Sequence, residues 1–273
     1  MNFHSQLKQA WQKNNSLLCV GLDPDLEKLP AQVLKTNKPI YEFNRQIIDQ
    51  TAAHCCCFKP QIAYYAAYGA EDQLEETIAY IKAHYPDHPV ILDAKRGDIG
   101  ATAQMYAREA FDRYGADAVT VNPYMGGDTL QPFLERSDKG MVVLCRTSNA
   151  GSAEFQALSF DGQSLAHRVA QKALEWNSLD NVVLVVGATY PQELAEIRAI
   201  VGDIPLLVPG VGAQGGALQA VLQNGLTADK TGLMINSSRG IIYAGSGDDF
   251  ALAAGRAASE LNLEINKLRA LIK

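Results

Sequence analysis

No apolar run in this 273-residue chain approaches the length of a membrane span. The stretch 1–11 is polar and amphipathic, unlike a secretory signal. Basic residues are outnumbered, 24 Lys and Arg against 30 Asp and Glu, giving a net charge of −6. That balance argues against a nucleic-acid backbone or an anionic membrane as partner. Cysteine is sparse: Cys19, Cys55, Cys56, Cys57 and Cys145 lack the paired CxxC spacing of a zinc site. The adjacent trio cannot all face one metal from a strand, where successive side chains point to opposite faces. The five read instead as small reduced hydrophobes of a cytoplasmic protein, with no metal site among them. No linker, low-complexity segment or charge block divides the chain either. Residues 1–273 are therefore expected to form a single domain, and 47% apolar residues suffice for its core.

Against that background, eight short apolar runs stand out, at 17–22, 55–58, 90–92, 118–121, 141–144, 182–186, 205–208 and 232–235. Each is near-continuous in hydrophobicity, as parallel strands buried on both faces should be. Amphipathic helical patterns lie between them, including 102–114, 164–176 and 192–201, the last preceded by Pro191 at a first-turn position. The tail 248–273 reads as a closing helix. Eight βα units in about 250 residues match an α/β protein of the (β/α)8 TIM-barrel type. Strand counting alone leaves a doubly wound sheet open.

In a barrel, chemistry sits at the C-terminal ends of the strands. Those ends carry Asp23, Lys59, Asp93 with Lys95, Asn122, Ser148, Gly187, Gly210 and Asn236 with Arg239. The segment 90–102, Val-Ile-Leu-Asp-Ala-Lys-Arg-Gly-Asp-Ile-Gly-Ala-Thr, is the most informative. Strand alternation points Asp93 and Lys95 to one face, and Asp98 follows in the turn. Two carboxylates around one ammonium suit acid–base chemistry, and they favour the protonated lysine. A solvated ion cluster on a loop is the plainer alternative.

Gly210-Val-Gly-Ala-Gln-Gly215 fits G-x-G-x-x-G after a strand, yet a dinucleotide site is rejected on position. The partner acid of that motif should end the next strand, whereas Asp229 precedes the last apolar run. The same glycines suit a phosphate bound at the seventh and eighth strand ends, with Gln214 as a side-chain donor and Arg239 as the bidentate charge. The long polar loop 146–163 has the place of a lid, with Ser148 at its base.

Asp93-x-Lys95-x-x-Asp98-Ile-Gly-x-Thr102 closely resembles the signature of the orotidine 5′-phosphate decarboxylase family. Leu22-Asp23, Phe58-Lys59-Pro60, Thr147-Ser-Asn149, Pro209-Gly-Val-Gly-Ala-Gln-Gly215 and Ser238-Arg-Gly240 follow in the family's order along all eight units. Val121-Asn-Pro-Tyr124 and Cys145-Arg-Thr-Ser-Asn149 resemble its longer bacterial subfamily, except that Ala150 stands where proline is expected.

The resemblance implies cofactor-independent decarboxylation of orotidine 5′-monophosphate to uridine 5′-monophosphate and carbon dioxide, the last step of de novo UMP biosynthesis. By the same resemblance Lys95 protonates C6 and Asp93 lies beside the scissile carboxylate. Lys59 bridges that carboxylate pair and a ribose hydroxyl, and Asp23 is a second ribose contact. Ser148 reads the pyrimidine edge, while Gln214 and Arg239 grip the phosphate. Asp98 and Thr102 are implied to enter the neighbouring subunit's site in a homodimer. A metal-dependent 3-keto-L-gulonate 6-phosphate decarboxylase shares the motif but wants a glutamate near the second strand end, where Phe58-Lys-Pro-Gln-Ile-Ala-Tyr64 has lysine and no acid. A Schiff-base aldolase needs a neutral lysine, unlike Lys95 between carboxylates. A non-enzymatic phosphoribosyl-ligand sensor would be expected to have lost one of the charged residues.

Overall fold

The eight apolar runs become eight parallel strands: β1 (Leu18–Leu22), β2 (Cys57–Pro60), β3 (Ile91–Arg96), β4 (Ala118–Val121), β5 (Gly140–Arg146), β6 (Val182–Val186), β7 (Leu206–Val208) and β8 (Leu233–Ser237). The computed structural model describes residues 1–211 and 217–272. Strand order is β2-β1-β8-β7-β6-β5-β4-β3, and the bridges Phe58–Val90 and Gln61–Asp93 join β2 to β3. The ring of neighbours closes, so the protein is a (β/α)8 barrel rather than a doubly wound sheet. β1, β4 and β6 are buried along their whole length, because helices cover the outside and side chains fill the inside. All five cysteines are free and buried, Cys19, Cys57 and Cys145 in strands and Cys55 and Cys56 in the turn that enters β2.

Local signals set the helices. Ser164 caps Leu165–Trp176, its side chain accepting the His167 N–H at 3.2 Å, and Ala166, Ala170 and Ala173 form the buried stripe. Pro191 occupies the first position of Pro191–Val201. The closing helix runs Phe250–Leu271 and buries Ala254, Ala258 and Ile265. The helix expected over 102–114 is instead an α-helix at Gly100–Arg108 followed by a π turn at Glu109–Arg113. That wide turn keeps Ala110 and Phe111 buried while Glu109 faces Arg96 in a bidentate pair, 2.9 Å at each bond.

An N-terminal helix, Phe3–Asn14, stands outside the βα repeat. Its Phe3 and Leu7 are fully buried, and the His4 ring donates to the Val182 carbonyl at 2.7 Å. Both the β5 start and the β6 start are reached this way, so the helix covers the barrel end away from the chemistry. Burial of each large apolar side chain here contributes roughly 1.5–3 kcal/mol.

The strand-five loop is more ordered than its composition suggests. It holds a short helix at Ala153–Gln156 and a two-residue hairpin pairing Ser159–Phe160 with Gln163–Ser164. Arg146, counted with the loop on sequence, is the last residue of β5 and is fully buried. It pairs with Glu193 at 2.6 and 3.2 Å, donates to Ser152, and stacks on the Tyr190 ring 3.8 Å from its centre. The loop base is thereby tied to the next helix.

Candidate active site

Where β2 meets β3, three donors from three strands converge on one carboxylate. Asp93 Oδ2 accepts from Lys59 Nζ at 2.9 Å, and its Oδ1 accepts from Lys95 Nζ at 2.7 Å and from Thr120 Oγ1 at 2.9 Å. Lys59 and Asp93 are buried, whereas the Lys95 side chain is 47% exposed and opens into the cavity. Burial alone would push the Asp93 pKa up, but the ammonium groups of Lys59 and Lys95 outweigh it and hold the carboxyl well below the usual carboxylate range. Burial likewise pushes Lys59 down, and the charges of Asp93 and Asp23 outweigh that to raise it above an ordinary lysine. The pair is thus charged on both sides at neutral pH.

Asp93 and Lys95 do meet, though not by simple strand alternation. Leu92 is in register with Val119 and Arg96 with Val121, so Asp93, Ala94 and Lys95 all lie opposite the single residue Thr120. Lys95 takes a left-handed backbone, φ +48°, at the crest of this bulge. A non-glycine residue held there costs on the order of 1–3 kcal/mol, which the surroundings must offset. Sequence reading missed Thr120, because a threonine between two valines looks like one more β-branched strand residue.

The cavity above this array measures about 410 Å³ and is lined by Lys59, Asp93, Lys95, Thr120 and Ser148 among others. Its size suits a small polar ligand. Ser148 is held against β6 and β7: a Cβ on Gly187 would lie 2.8 Å from the Ser148 Cβ, so only glycine fits there. Beside Ser148, Thr147 and Gln156 are linked through the Thr147 N–H to Gln156 Oε1 (2.8 Å) and Gln156 Nε2 to the Thr147 hydroxyl (3.0 Å).

Asp23 and Arg239 line a second cavity of about 440 Å³, with Gly210, Asn236 and Ser238. Asp23 Oδ1 is buried without a hydrogen-bond partner among the described residues. Its backbone is fixed by Tyr243, whose hydroxyl donates to the Asp23 carbonyl at 3.0 Å and accepts the Asp25 N–H at 2.7 Å. Arg239 is exposed and pairs with no carboxylate among the described residues. Gly210 borders this cavity and also abuts Ser148, so the two spaces adjoin at the β7 end.

Asp98 and Thr102 are not brought into either cavity. Among the described residues Asp98 accepts only its neighbour's N–H, that of Ile99 at 2.8 Å, and Thr102 is exposed. Among the described residues, therefore, one carboxylate touches Lys95, that of Asp93, not two. Gln214 lies outside the described residues. Asp229, the false partner of the glycine motif, accepts from Thr227 and Thr231 in the turn before β8. Among the described residues, no three His, Cys, Asp or Glu side chains converge as metal ligands, and no helix is long and apolar enough to cross a membrane.

The model of the orotidine 5′-phosphate decarboxylase / HUMPS family matches residues 16–253. An orotidine 5′-phosphate decarboxylase of Ralstonia pickettii is 58% identical over 270 residues, covering 98% of this chain and 100% of that protein. One of Dechloromonas aromatica is also 58% identical, with the same coverage. The solved structure of Leishmania donovani OMP decarboxylase superposes with a TM-score of 0.86 at 41% identity, covering 99% of both chains. Barrel, strand-end array and sequence agree, and the chain belongs to the orotidine 5′-phosphate decarboxylase / HUMPS family.

Proposed function

We propose that the Lys59–Asp93–Lys95 array decarboxylates orotidine 5′-monophosphate to uridine 5′-monophosphate and carbon dioxide, without a cofactor, as the last step of UMP synthesis. The observation that carries this reading is the Lys95 ammonium, 2.7 Å from a buried, ionised Asp93 and open to the cavity. As the C6–carboxylate bond breaks, its electron pair stays on C6, which has no good electron sink. A fixed ammonium stabilises that developing charge and then transfers its proton to C6. Half-exposed Lys95 is reprotonated from solvent. In this reading Asp93 lies beside the departing carboxylate, and Lys59 balances its charge.

The remaining groups bind. Asp23, whose Oδ1 has no partner among the described residues, and Lys59 hold ribose hydroxyls, and Ser148 contacts the pyrimidine edge. Arg239 and Gln214 grip the phosphate, whose distance from C6 lets its binding energy drive closure of the 146–163 loop and raise the rate. Asp98 and Thr102 act across a homodimer interface. Supporting this, Asp98 has no cationic partner among the described residues, and exposed Ile99, Met105 and Tyr124 surround that edge of the mouth. We also read the chain as cytoplasmic and as one of the longer bacterial subfamily.

The test is incubation of purified, EDTA-treated protein with orotidine 5′-monophosphate, followed by pyrimidine absorbance. Turnover unaffected by chelation is expected. Loss of all activity on chelation, restored by magnesium, would move the protein to the metal-dependent sugar-phosphate branch.

A further inference from the structure

We infer that Thr120 is a positioning residue for the proton donor, its one hydroxyl locking the Lys95 backbone and the Asp93 carboxylate into a single unit. The inference rests on the reading of Lys95 as the acid and goes beyond it. Thr120 is buried on β4, directly opposite the bulge of β3. Its Oγ1 accepts the N–H of Ala94 at 2.9 Å and the N–H of Lys95 at 2.8 Å. A hydroxyl has two acceptor sites and one proton. With both acceptor sites filled, the proton is left for Asp93 Oδ1, 2.9 Å away. The hydroxyl orientation is therefore set by counting, and it requires that Asp93 Oδ1 carry no proton.

That same Oδ1 receives the Lys95 ammonium. One oxygen atom thus ties together both ends of Lys95: its backbone N–H directly, and its ammonium through the shared carboxylate oxygen. The left-handed backbone at Lys95 needs such a tie, since a bulge whose two part-buried N–H groups lost their common acceptor would relax and swing the side chain away from its place. A threonine serving only to fill the barrel would be replaceable by valine, which has the same shape and no hydroxyl.

The test compares Thr120→Val, Thr120→Ser and Lys95→Ala, measuring kcat, KM, affinity for uridine 5′-monophosphate and the thermal midpoint. Thr120→Val should lose about 10²-fold in kcat, the scale of a small misplacement of a reacting group, while KM and product affinity stay within about threefold. Thr120→Ser, which keeps the hydroxyl, should recover kcat to within about threefold of wild type. A Thr120→Val enzyme with more than about a third of wild-type kcat would overturn the inference, as would equal losses in kcat and product affinity. If Thr120→Val does not fold, Thr120→Ala, which leaves space for a water, takes its place: a kcat equal to that of Thr120→Ser overturns the inference, and one at least about tenfold lower supports it. Lys95→Ala separates the two claims. Retained turnover in that variant removes Lys95 as the acid whatever Thr120 does, whereas an inactive Lys95→Ala beside a fully active Thr120→Val removes only the role of Thr120.

Discussion

Replacing Lys59 by methionine isolates the buried half of the charge array. In the native protein Asp93 is buried between Lys59, Lys95 and Thr120. Breaking a buried pair by removing one partner costs about 3–5 kcal/mol, because the remaining charge is left uncompensated. Asp93 keeps two other donors, so the lower end applies, about 3 kcal/mol at pH 7. For a chain of this size that is a fall of roughly 6–12 °C in thermal midpoint at fixed protein concentration.

The pH dependence has a definite sign. Native Asp93 has a depressed pKa, so it contributes stability above the ordinary carboxylate value near ~3.9, and loses it only as pH falls through the depressed value. Native Lys59 has a raised pKa and contributes below about 10.4, losing this as pH rises through the raised value. In Lys59→Met the largest ion-pair partner of Asp93 is gone while burial still opposes its charge, so its pKa moves up. Acid then protonates Asp93 and relieves the variant before it harms the wild type. The gap in midpoint should shrink between pH 7 and pH 4.5, read by circular dichroism. The double variant Lys59→Met/Asp93→Asn should be more stable than Lys59→Met alone at pH 7. A gap that stays constant with pH, or a double variant less stable than the single one, would refute the account of a buried charge left unpaired.

Other outcomes follow from the same geometry. Lys95→Ala should fold normally and lose several orders of magnitude in turnover; retention of more than roughly a tenth of wild-type kcat would remove it as the acid. Arg239→Ala should weaken orotidine 5′-monophosphate far more than the unphosphorylated nucleoside, and equal losses would contradict a phosphate role. Lys95→Ala and Asp98→Ala homodimers should each be nearly inactive, yet equal mixing with subunit exchange should restore about a quarter of all sites, because mixed dimers carry one intact site. No recovery despite exchange seen by native mass spectrometry would place Asp98 in its own subunit's site.

The strand-end residues were legible because a parallel barrel makes them so. Continuous apolar runs mark walls buried on both faces, and whatever polar residue ends a run must face the mouth. Lys59, Asp93, Lys95 and Ser148 were found by this rule, and all four line the same cavity. The rule also passed over residues whose work depends on what stands beside them. Arg146 was assigned to a polar loop since arginines are seldom buried; its partners Glu193 and Tyr190 lie far along the chain. Thr120 was hidden by resembling valine. A hydroxyl inside an apolar strand, one register step from a charged strand end, is the signal that would have found it.

Sequence by itself determined the eight βα units, the charge set at the second and third strand ends, and the rejection of the dinucleotide motif, while closure of the ring was left to the β2–β3 bridges. These depend on periodicity and order, which are one-dimensional properties. Only the tertiary structure decided how the charges are wired. Alternation predicted that Asp93 and Lys95 share a face, but their contact comes from three residues of β3 bulging against Thr120, a pairing between strands 25 or more residues apart. Among the described residues it also brings one carboxylate, that of Asp93, to Lys95 and leaves Asp98 outside the cavity. Spacing along a chain says which groups are near in number. Burial, register and the saturation of hydrogen bonds say which of them touch, and these arise only when distant segments are packed together.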